Sequence, residues 1–332
     1  MRTVRLWAAA VAAAVALAVG NAAPASSQTS AYSIDGVYVV GLSSGAYMAT
    51  QLHVAYSSTV RGSAIFAGGA YYCAQGSLVT AMLACMNDFQ DDQVGKLEQT
   101  AQTWSDQGSI DPVGNLAGDP AYVYHGTNDS TVKASVTSGL TEFYRHFGVN
   151  VVERTTEPAG HSWVSPRGPN PCSSSYTPYV NNCGTNPEAE LLGHLLGSVA
   201  APNTGARAGS LINVDQNAHA PGGNAAAISM DSTGYAYVPS SCAGGATCRL
   251  VIALHGCKQG HATVGNQLID DAYLNEYADT NELVVLYPQA IVTNGSNPNG
   301  CWDWWGYLGG SYAKRGAPQM ATIMAMAAAL GG

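Results

Sequence analysis

The stretch VYVVGLSSGAYMATQLHVAY, residues 37–56, decides the fold of this chain. Four strand-forming residues lead into a turn of small residues, and apolar residues then recur at helical spacing. Residues 41–45, GLSSG, fit the pattern G-x-S-x-G, whose glycines let a strand and a helix approach closely while the serine is held at the apex. The pattern arises by chance in a chain with 38 glycines, so the strand before it and the helix after it matter. Together they predict Ser43 as a nucleophile on a strand–turn–helix unit.

A serine hydroxyl attacks an ester only when a base takes its proton and fixed donors receive the charge on the carbonyl oxygen. Asp129 follows the predicted strand AYVY, and His161 follows the next predicted strand, VNVVER. The chain order Ser43, Asp129, His161 is that of α/β-hydrolases, so we predict a triad of nucleophile, acid and base. The alternative for Asp129 is a loop carboxylate that only stabilises a turn. We interpret the other histidines as structural; His125 and His255 precede glycines at strand ends, where an imidazole can brace a loop.

The whole chain alternates predicted strands with helices, which indicates a mostly parallel central sheet with helices on both faces. One helical pattern is predicted around residues 82–104, and a surface loop over residues 166–183. Residues 200–227 are rich in Gly, Ala, Asn and Pro and form the most linker-like segment. Three further apolar strands and a C-terminal helix follow it. We predict one catalytic domain over residues 26–332.

The N-terminus resembles an export signal, with two arginines, an apolar run and small residues before residue 26. We predict a signal peptide over residues 1–25 and a protein secreted to the periplasm or the medium. The alternative is a membrane anchor, but the apolar run is short and no other segment is long enough to span a bilayer. We therefore expect no stable membrane insertion.

Export places the eight cysteines in an oxidising compartment, where disulfides are favoured. No C-x-x-C pair indicates a zinc site, and we expect neither a metal nor an organic cofactor. The sequence does not fix one connectivity among about 105. Short loops favour Cys73–Cys85, Cys172–Cys183 and Cys242–Cys248, which leaves Cys257 for Cys301.

Charged residues make up only 11% of the chain, with 13 Lys and Arg against 22 Asp and Glu. The basic residues form no run that could neutralise phosphates, so nucleic acid is excluded as a partner. A surface of uncharged polar residues suits a neutral substrate better than an ionic ligand.

The segment CRLVIALHGCKQG, residues 248–260, has the strand and His-Gly turn of an oxyanion-hole loop, yet it comes after His161 and not before Ser43. Circular permutation explains this order if the strands that usually open an α/β-hydrolase have been moved behind the histidine. The join would lie at about residues 200–227. Domain termini often lie close together at the surface, so such a rearrangement need not alter the core.

With GLSSGAYMA, HGTNDSTV, PAGHSW, LHGCKQG, LYPQA and NPNGCWDWWGY, the chain resembles the polyhydroxybutyrate depolymerase family, in its single-domain, circularly permuted form. The resemblance covers nearly all of the chain after the signal. It implies that the backbone N–H groups of Ser44 and Cys257 form the oxyanion hole. It also implies that Asn297 and Trp302 line the substrate crevice, although Trp302 could equally be a core aromatic.

The resemblance implies an exported, monomeric serine esterase that hydrolyses poly(3-hydroxybutyrate) or its oligomers through an acyl-enzyme. A feruloyl or acetyl-xylan esterase is the nearest alternative. A non-catalytic polymer-binding protein is an alternative of another class, against which the Ser, Asp, His order argues. The resemblance also leads us to expect either that exposed apolar and tyrosine side chains around the crevice bind the solid polymer or that the enzyme acts on soluble or amorphous chains.

Overall fold

The computed structural model describes residues 31–87, 91–293 and 295–332, so the predicted signal peptide lies outside the described residues. The strands are β1 (Ile34–Leu42), β2 (Val60–Phe66), β3 (Pro120–Tyr124), β4 (Asn150–Arg154), β5 (Trp163–Val164), β6 (Asn170–Pro171), β7 (Val180–Asn182), β8 (Ser210–Asp215), β9 (Thr233–Val238), β10 (Cys248–Leu254) and β11 (Leu283–Tyr287). The helices are α1 (Ser44–Ala55), α2 (Leu78–Leu83), α3 (Asp91–Asp106), α4 (Ala134–His146), α5 (Pro187–Leu196), α6 (Ser240–Ala243), α7 (His261–Val264), α8 (Gln267–Asp271), α9 (Leu274–Asn281) and α10 (Pro318–Ala329).

An eight-stranded sheet in the order β4-β3-β2-β1-β10-β11-β9-β8 forms the centre of the molecule. Its first six strands are parallel, and β9 pairs antiparallel with both β11 and β8. Consecutive residues of β1, Val39 and Val40, are both fully buried, so helices and loops cover both faces of the sheet. The prediction of an α/β fold with a mostly parallel sheet is confirmed.

Counting the strands from β8 gives the order that a circular permutation predicts. β8 is then the first strand, β9 the second and β10 the third, and the oxyanion loop of an α/β-hydrolase follows the third strand. The His-Gly turn does follow β10, and the GLSSG turn follows β1, which pairs with β10 in parallel. Parallel pairing brings the carboxyl ends of these two strands to one edge of the sheet.

The structure differs from the sequence prediction in three segments. The helical pattern predicted around residues 82–104 is interrupted, because α2 ends at Leu83 and α3 begins at Asp91. The predicted surface loop over residues 166–183 contains β6 and β7, and β7 pairs in parallel with both β5 and β6 in a small sheet. The linker-like segment is partly ordered, since β8 lies within it as the edge strand of the main sheet.

All eight cysteines form disulfides, and the pairing favoured by the short loops is confirmed. The bonds join Cys73 with Cys85, Cys172 with Cys183, Cys242 with Cys248, and Cys257 with Cys301. The last bond crosses 44 residues and ties the turn after β10 to the loop that carries the WDWW sequence.

Candidate active site

Ser43 lies on a strained turn between β1 and α1. Its backbone has φ 56° and ψ −121°, a positive φ that residues other than glycine rarely adopt. A Cβ atom at Gly41 would lie 2.3 Å from the carbonyl oxygen of Gly45, and a Cβ at Gly45 would lie 2.3 Å from that of Leu254. Only glycine fits at both positions, because the helix starts against the strand it leaves and against the end of β10. The Ser43 side chain, in contrast to the rest of the turn, is partly exposed.

Asp129 and His161 form a buried pair at the carboxyl ends of β3 and β4. The Nδ1 atom of His161 lies 2.7 Å from Oδ2 of Asp129, and the two side chains are 7% and 1% exposed. The other carboxylate oxygen, Oδ1, accepts the backbone N–H groups of Thr131 at 2.8 Å and Val132 at 3.0 Å. A carboxylate can only accept, so Nδ1 carries the proton of this pair and Nε2 is left as the basic nitrogen of a neutral imidazole.

The same contacts keep the carboxyl of Asp129 ionised. Burial would raise its pKa, but the hydrogen bond and the charge interaction with His161, together with the N–H groups of Val132 and Thr131, outweigh burial and hold the pKa below its ordinary value. The backbone N–H of His161 donates to the Ser175 hydroxyl at 2.8 Å, which fixes the loop that carries the imidazole.

Ser43 and His161 border one cavity of about 380 Å³ at the carboxyl edge of the sheet. Most of its wall is apolar or uncharged. The lining consists of Leu42, Ser43, Leu78, Ala81, Met82, Met86, Thr131, His161, Ser175, Tyr179, Gly256, Cys257, Lys258, Asn299, Cys301, Trp304 and Trp305. The predicted nucleophile, base and oxyanion loop therefore meet at one opening, although they come from distant parts of the chain.

Hydrogen bonds fix the turn that contains Cys257 on both sides. The N–H of Gly256 donates to Oε1 of Gln259 at 2.7 Å, and the N–H of Lys258 donates to the carbonyl of Asn299 at 2.7 Å. Gln259 is 1% exposed and its amide also donates to the carbonyls of residues 178 and 179. Gln259 was not singled out from the sequence, although it belongs to the quoted LHGCKQG motif.

His255 stabilises this turn through two hydrogen bonds of its buried ring. Its Nε2 accepts the N–H of Ala290 at 3.0 Å, so the proton of the ring is on Nδ1, which donates to the carbonyl of Gly256 at 2.7 Å. Burial lowers the pKa of His255 to about 4, partly offset by the bond to Gly256, so the ring is neutral near pH 7. These contacts agree with its interpretation as a loop brace.

Asn297 and Trp302, predicted to line the crevice, lie elsewhere. Both are fully buried and absent from the cavity wall. The Trp302 indole N–H donates to the carbonyl of His255 at 3.0 Å, and the Asn297 amide exchanges hydrogen bonds with the backbone of Cys301, at 2.7 and 2.8 Å. The two side chains support the loops around the cavity from inside the protein, so the structure corrects this prediction.

Trp304 and Trp305 line the cavity in the role that was predicted from the sequence for Trp302. Trp304 stacks on Tyr47 of α1, with ring centroids 4.2 Å apart. The carboxyl of Asp303 accepts the backbone N–H groups of residues 306, 307 and 308 at 2.7 to 3.1 Å, which folds the segment after the tryptophans back on itself. Burial raises the pKa of Asp303 to about 6, although these N–H groups oppose that shift.

Within residues 31–87, 91–293 and 295–332, no group of three or more His, Cys, Asp or Glu side chains is arranged to hold a metal ion. Across the same ranges, every helix is too short or too polar to cross a bilayer.

Comparisons with known proteins find relatives over most of the chain. The chain is 42% identical over 294 residues to a poly(3-hydroxybutyrate) depolymerase of Delftia acidovorans, covering 87% of this chain and 58% of that protein. It is 38% identical over 327 residues to a polyhydroxybutyrate depolymerase of Talaromyces funiculosus, covering 93% of this chain and 94% of that protein. The chain thus spans less than two thirds of the Delftia protein and nearly all of the Talaromyces protein. No family model matches the chain.

A solved structure shares the fold. It is a PHB depolymerase with a serine-to-alanine substitution, complexed with R3HB trimer, and it aligns with a TM-score of 0.83 at 36% identity. The alignment covers 91% of this chain and 98% of that one.

Proposed function

The chain belongs to the polyhydroxybutyrate depolymerase family of carboxylic ester hydrolases, and on that premise we propose that it hydrolyses poly(3-hydroxybutyrate) or its oligomers through an acyl-enzyme. The observation that supports this most is the shared cavity, in which a strained serine and a carboxylate-bound imidazole face one opening. A cavity wall with few charged groups suits an aliphatic polyester.

In the first half of the reaction, Ser43 attacks the ester carbonyl. His161 takes the hydroxyl proton at Nε2 and passes it to the departing alcohol oxygen, which forms an ester between Ser43 and the acyl unit. Asp129 keeps the Nδ1 proton in place and stabilises the imidazolium that forms between the two transfers. In the second half, water gives a proton to His161 and attacks the acyl carbon; His161 then returns the proton to the departing Ser43 oxygen, which releases the carboxylic acid and restores Ser43.

Two backbone N–H groups stabilise the oxyanion of both tetrahedral intermediates. Ser44 is the first residue of α1, where a helix leaves its N–H groups without acceptors inside the helix. In the turn after β10, the N–H groups of Gly256 and Lys258 are already bonded, which leaves that of Cys257 for the oxyanion. Removing one such donor costs about 10²- to 10³-fold in kcat.

The disulfide between Cys257 and Cys301 should matter for kcat as well as for stability. Replacing both cysteines with serine should lower the free energy of unfolding by about 4 kcal/mol on loop-entropy grounds, and kcat by about 10- to 100-fold, because the Cys257 donor loses its anchor. The matched control is the pair Cys242 and Cys248, whose loss should cost about 2 kcal/mol for its shorter loop and leave kcat unaltered. Urea denaturation and initial rates on a soluble ester measure the two effects. Equal kcat losses in both double variants would contradict this role of Cys257.

Helix α2 is proposed to rest on the solid polymer. Leu78, Val79, Met82 and Leu83 are 53% to 65% exposed, although all are large and apolar. Leu78 and Met82 also line the cavity, so the apolar surface is continuous from the helix into the opening. The disulfide of Cys73 and Cys85 encloses this helix and holds it beside the cavity. The protein is further proposed to be an exported monomer, and the complete pairing of its cysteines supports export.

Substrate choice tests this function against its alternatives. We expect release of (R)-3-hydroxybutyrate from amorphous polymer, identified by mass, and covalent capture of Ser43 by a serine-directed phosphonate. Arabinoxylan and acetylated xylan serve as competing substrates under the same conditions. Faster release of ferulate or acetate would favour a carbohydrate esterase, and sedimentation with the polymer without turnover would favour a binding protein.

A further inference from the structure

Among the described residues that line the cavity, Lys258 is the one lysine, and none is an arginine, aspartate or glutamate. The other basic side chain of the wall is His161, which is the proposed general base. The whole chain contains only 13 Lys and Arg residues and carries a formal charge of −9. A cation at the opening is therefore an exception to the chemistry of both the cavity and the protein, and a neutral polyester offers it ester oxygens but no opposite charge along its length.

The backbone holds Lys258 at this place. Its φ of 59° is a left-handed conformation, its N–H bonds to Asn299, and the preceding residue, Cys257, is tied by a disulfide. The side chain itself is exposed, so its ammonium can reach across the opening on a flexible four-carbon stem. The backbone of Lys258 is thus fixed, whereas its charged side chain is mobile. The preceding residue, Cys257, is the one whose N–H is assigned to the oxyanion.

The proposed reaction supplies a matching anion. Every hydrolysis of a polyester creates a new carboxylate at the end of the acyl-side product and a new hydroxyl at the start of the alcohol-side product. A short oligomer with a free acid end therefore carries one negative charge, located on the leaving-group side of its last ester bond. When that ester carbonyl lies at Ser43 and its oxygen at Cys257, the terminal carboxylate is one hydroxyacid unit away, on the scale of a lysine side chain.

Resting on the function proposed above, we propose that Lys258 binds the terminal carboxylate of short hydroxyalkanoate oligomers and makes the enzyme cleave acid-terminated oligomers in preference to the same oligomers with an esterified end. Asp129 does not compete for the ammonium, since its carboxylate is buried and bonded to His161. On the polymer, whose chain ends are rare, this contact would have little effect. It would act on the soluble products, shortening them towards the monomer.

The test compares the (R)-3-hydroxybutyrate trimer as free acid with its methyl ester. The quantity measured is the ratio of kcat/KM for the acid to kcat/KM for the ester, which cancels any general effect of a variant on the chemistry. In K258Q the ratio should fall about three- to tenfold at low ionic strength, and in K258E further, whereas K258R should retain it. In 1 M salt, where the Debye length is about 3 Å, the difference between wild type and K258Q should shrink.

K314Q is the matched control, because it removes the same charge from a lysine that lies over the ring of Trp104 and outside the cavity wall. Its ratio should equal that of the wild type. The same ratio in K258Q, K258E and the wild type would overturn the role of Lys258 while leaving the proposed function intact. A wild type that cleaves neither trimer but still releases acid from amorphous polymer would overturn this inference alone, whereas failure on the trimers and the polymer would refute the proposed function and this inference with it.

Discussion

Replacing Ser43 with alanine should abolish polyester hydrolysis, with a loss in kcat on the order of 10⁵- to 10⁶-fold. The substitution removes the only atom that forms the acyl-enzyme, while the turn, the oxyanion donors and the cavity remain. Alanine carries the same Cβ that serine already has at this positive φ, so the fold should be unaffected. The measurement is acid release from amorphous poly(3-hydroxybutyrate) in a pH-stat, with the melting temperature of each variant as a check on folding.

The control is Ser138→Ala, on the exposed face of α4, where the hydroxyl bonds only to the carbonyl of Ala134. Ser138→Ala should hydrolyse the polymer at the wild-type rate. A folded Ser43→Ala enzyme that retains even a few per cent of the activity would show that another nucleophile does the chemistry.

Replacing Asp129 with asparagine should cost about 10⁴-fold in kcat, although the two side chains have almost the same shape. The N–H groups of Thr131 and Val132 point at Oδ1, so they select the amide orientation in which the oxygen occupies that position. The amide NH₂ then replaces Oδ2 opposite Nδ1 of His161 and can only donate. The imidazole is forced to carry its proton on Nε2, which removes the lone pair that Ser43 needs.

Asp215→Asn is a close control for this second prediction. The carboxylate of Asp215 also accepts two backbone N–H groups, two and three residues further along, but it lies on the surface at the end of β8. That variant should lose little stability and no activity. A neutral tautomer trapped by asparagine should also be visible in the ¹⁵N chemical shifts of His161. Wild-type kcat in Asp129→Asn would mean that the carboxylate does not orient the base.

Local patterns in the sequence were enough to predict the strands of the main sheet other than β8, the helices of ten or more residues and the turn at Ser43. A strand followed by glycine, serine and a helical period leaves few alternatives, and the order of Asp129 and His161 after later strands follows from the way parallel strands end at one edge. The disulfide pairs were also predictable, because short loops limit the choice and leave one remaining pair. The position of the His-Gly turn after His161, and not before Ser43, was enough to indicate a circular permutation. Counting the strands from β8 gives the strand order that this permutation requires.

The tertiary structure decided which side chains face the cavity. Trp302, Trp304 and Trp305 lie within four residues, and their spacing does not say which is turned inward; packing against Tyr47 and the bond to the His255 carbonyl make that choice. Gln259 was missed for the same kind of reason, since its partners at residues 178 and 179 are about 80 positions away. The sequence by itself determined the backbone path and the reactive groups, because periodicity and turn chemistry act over a few residues. The walls of the cavity, and the exposed lysine on its rim, depend on contacts between segments that only folding brings together.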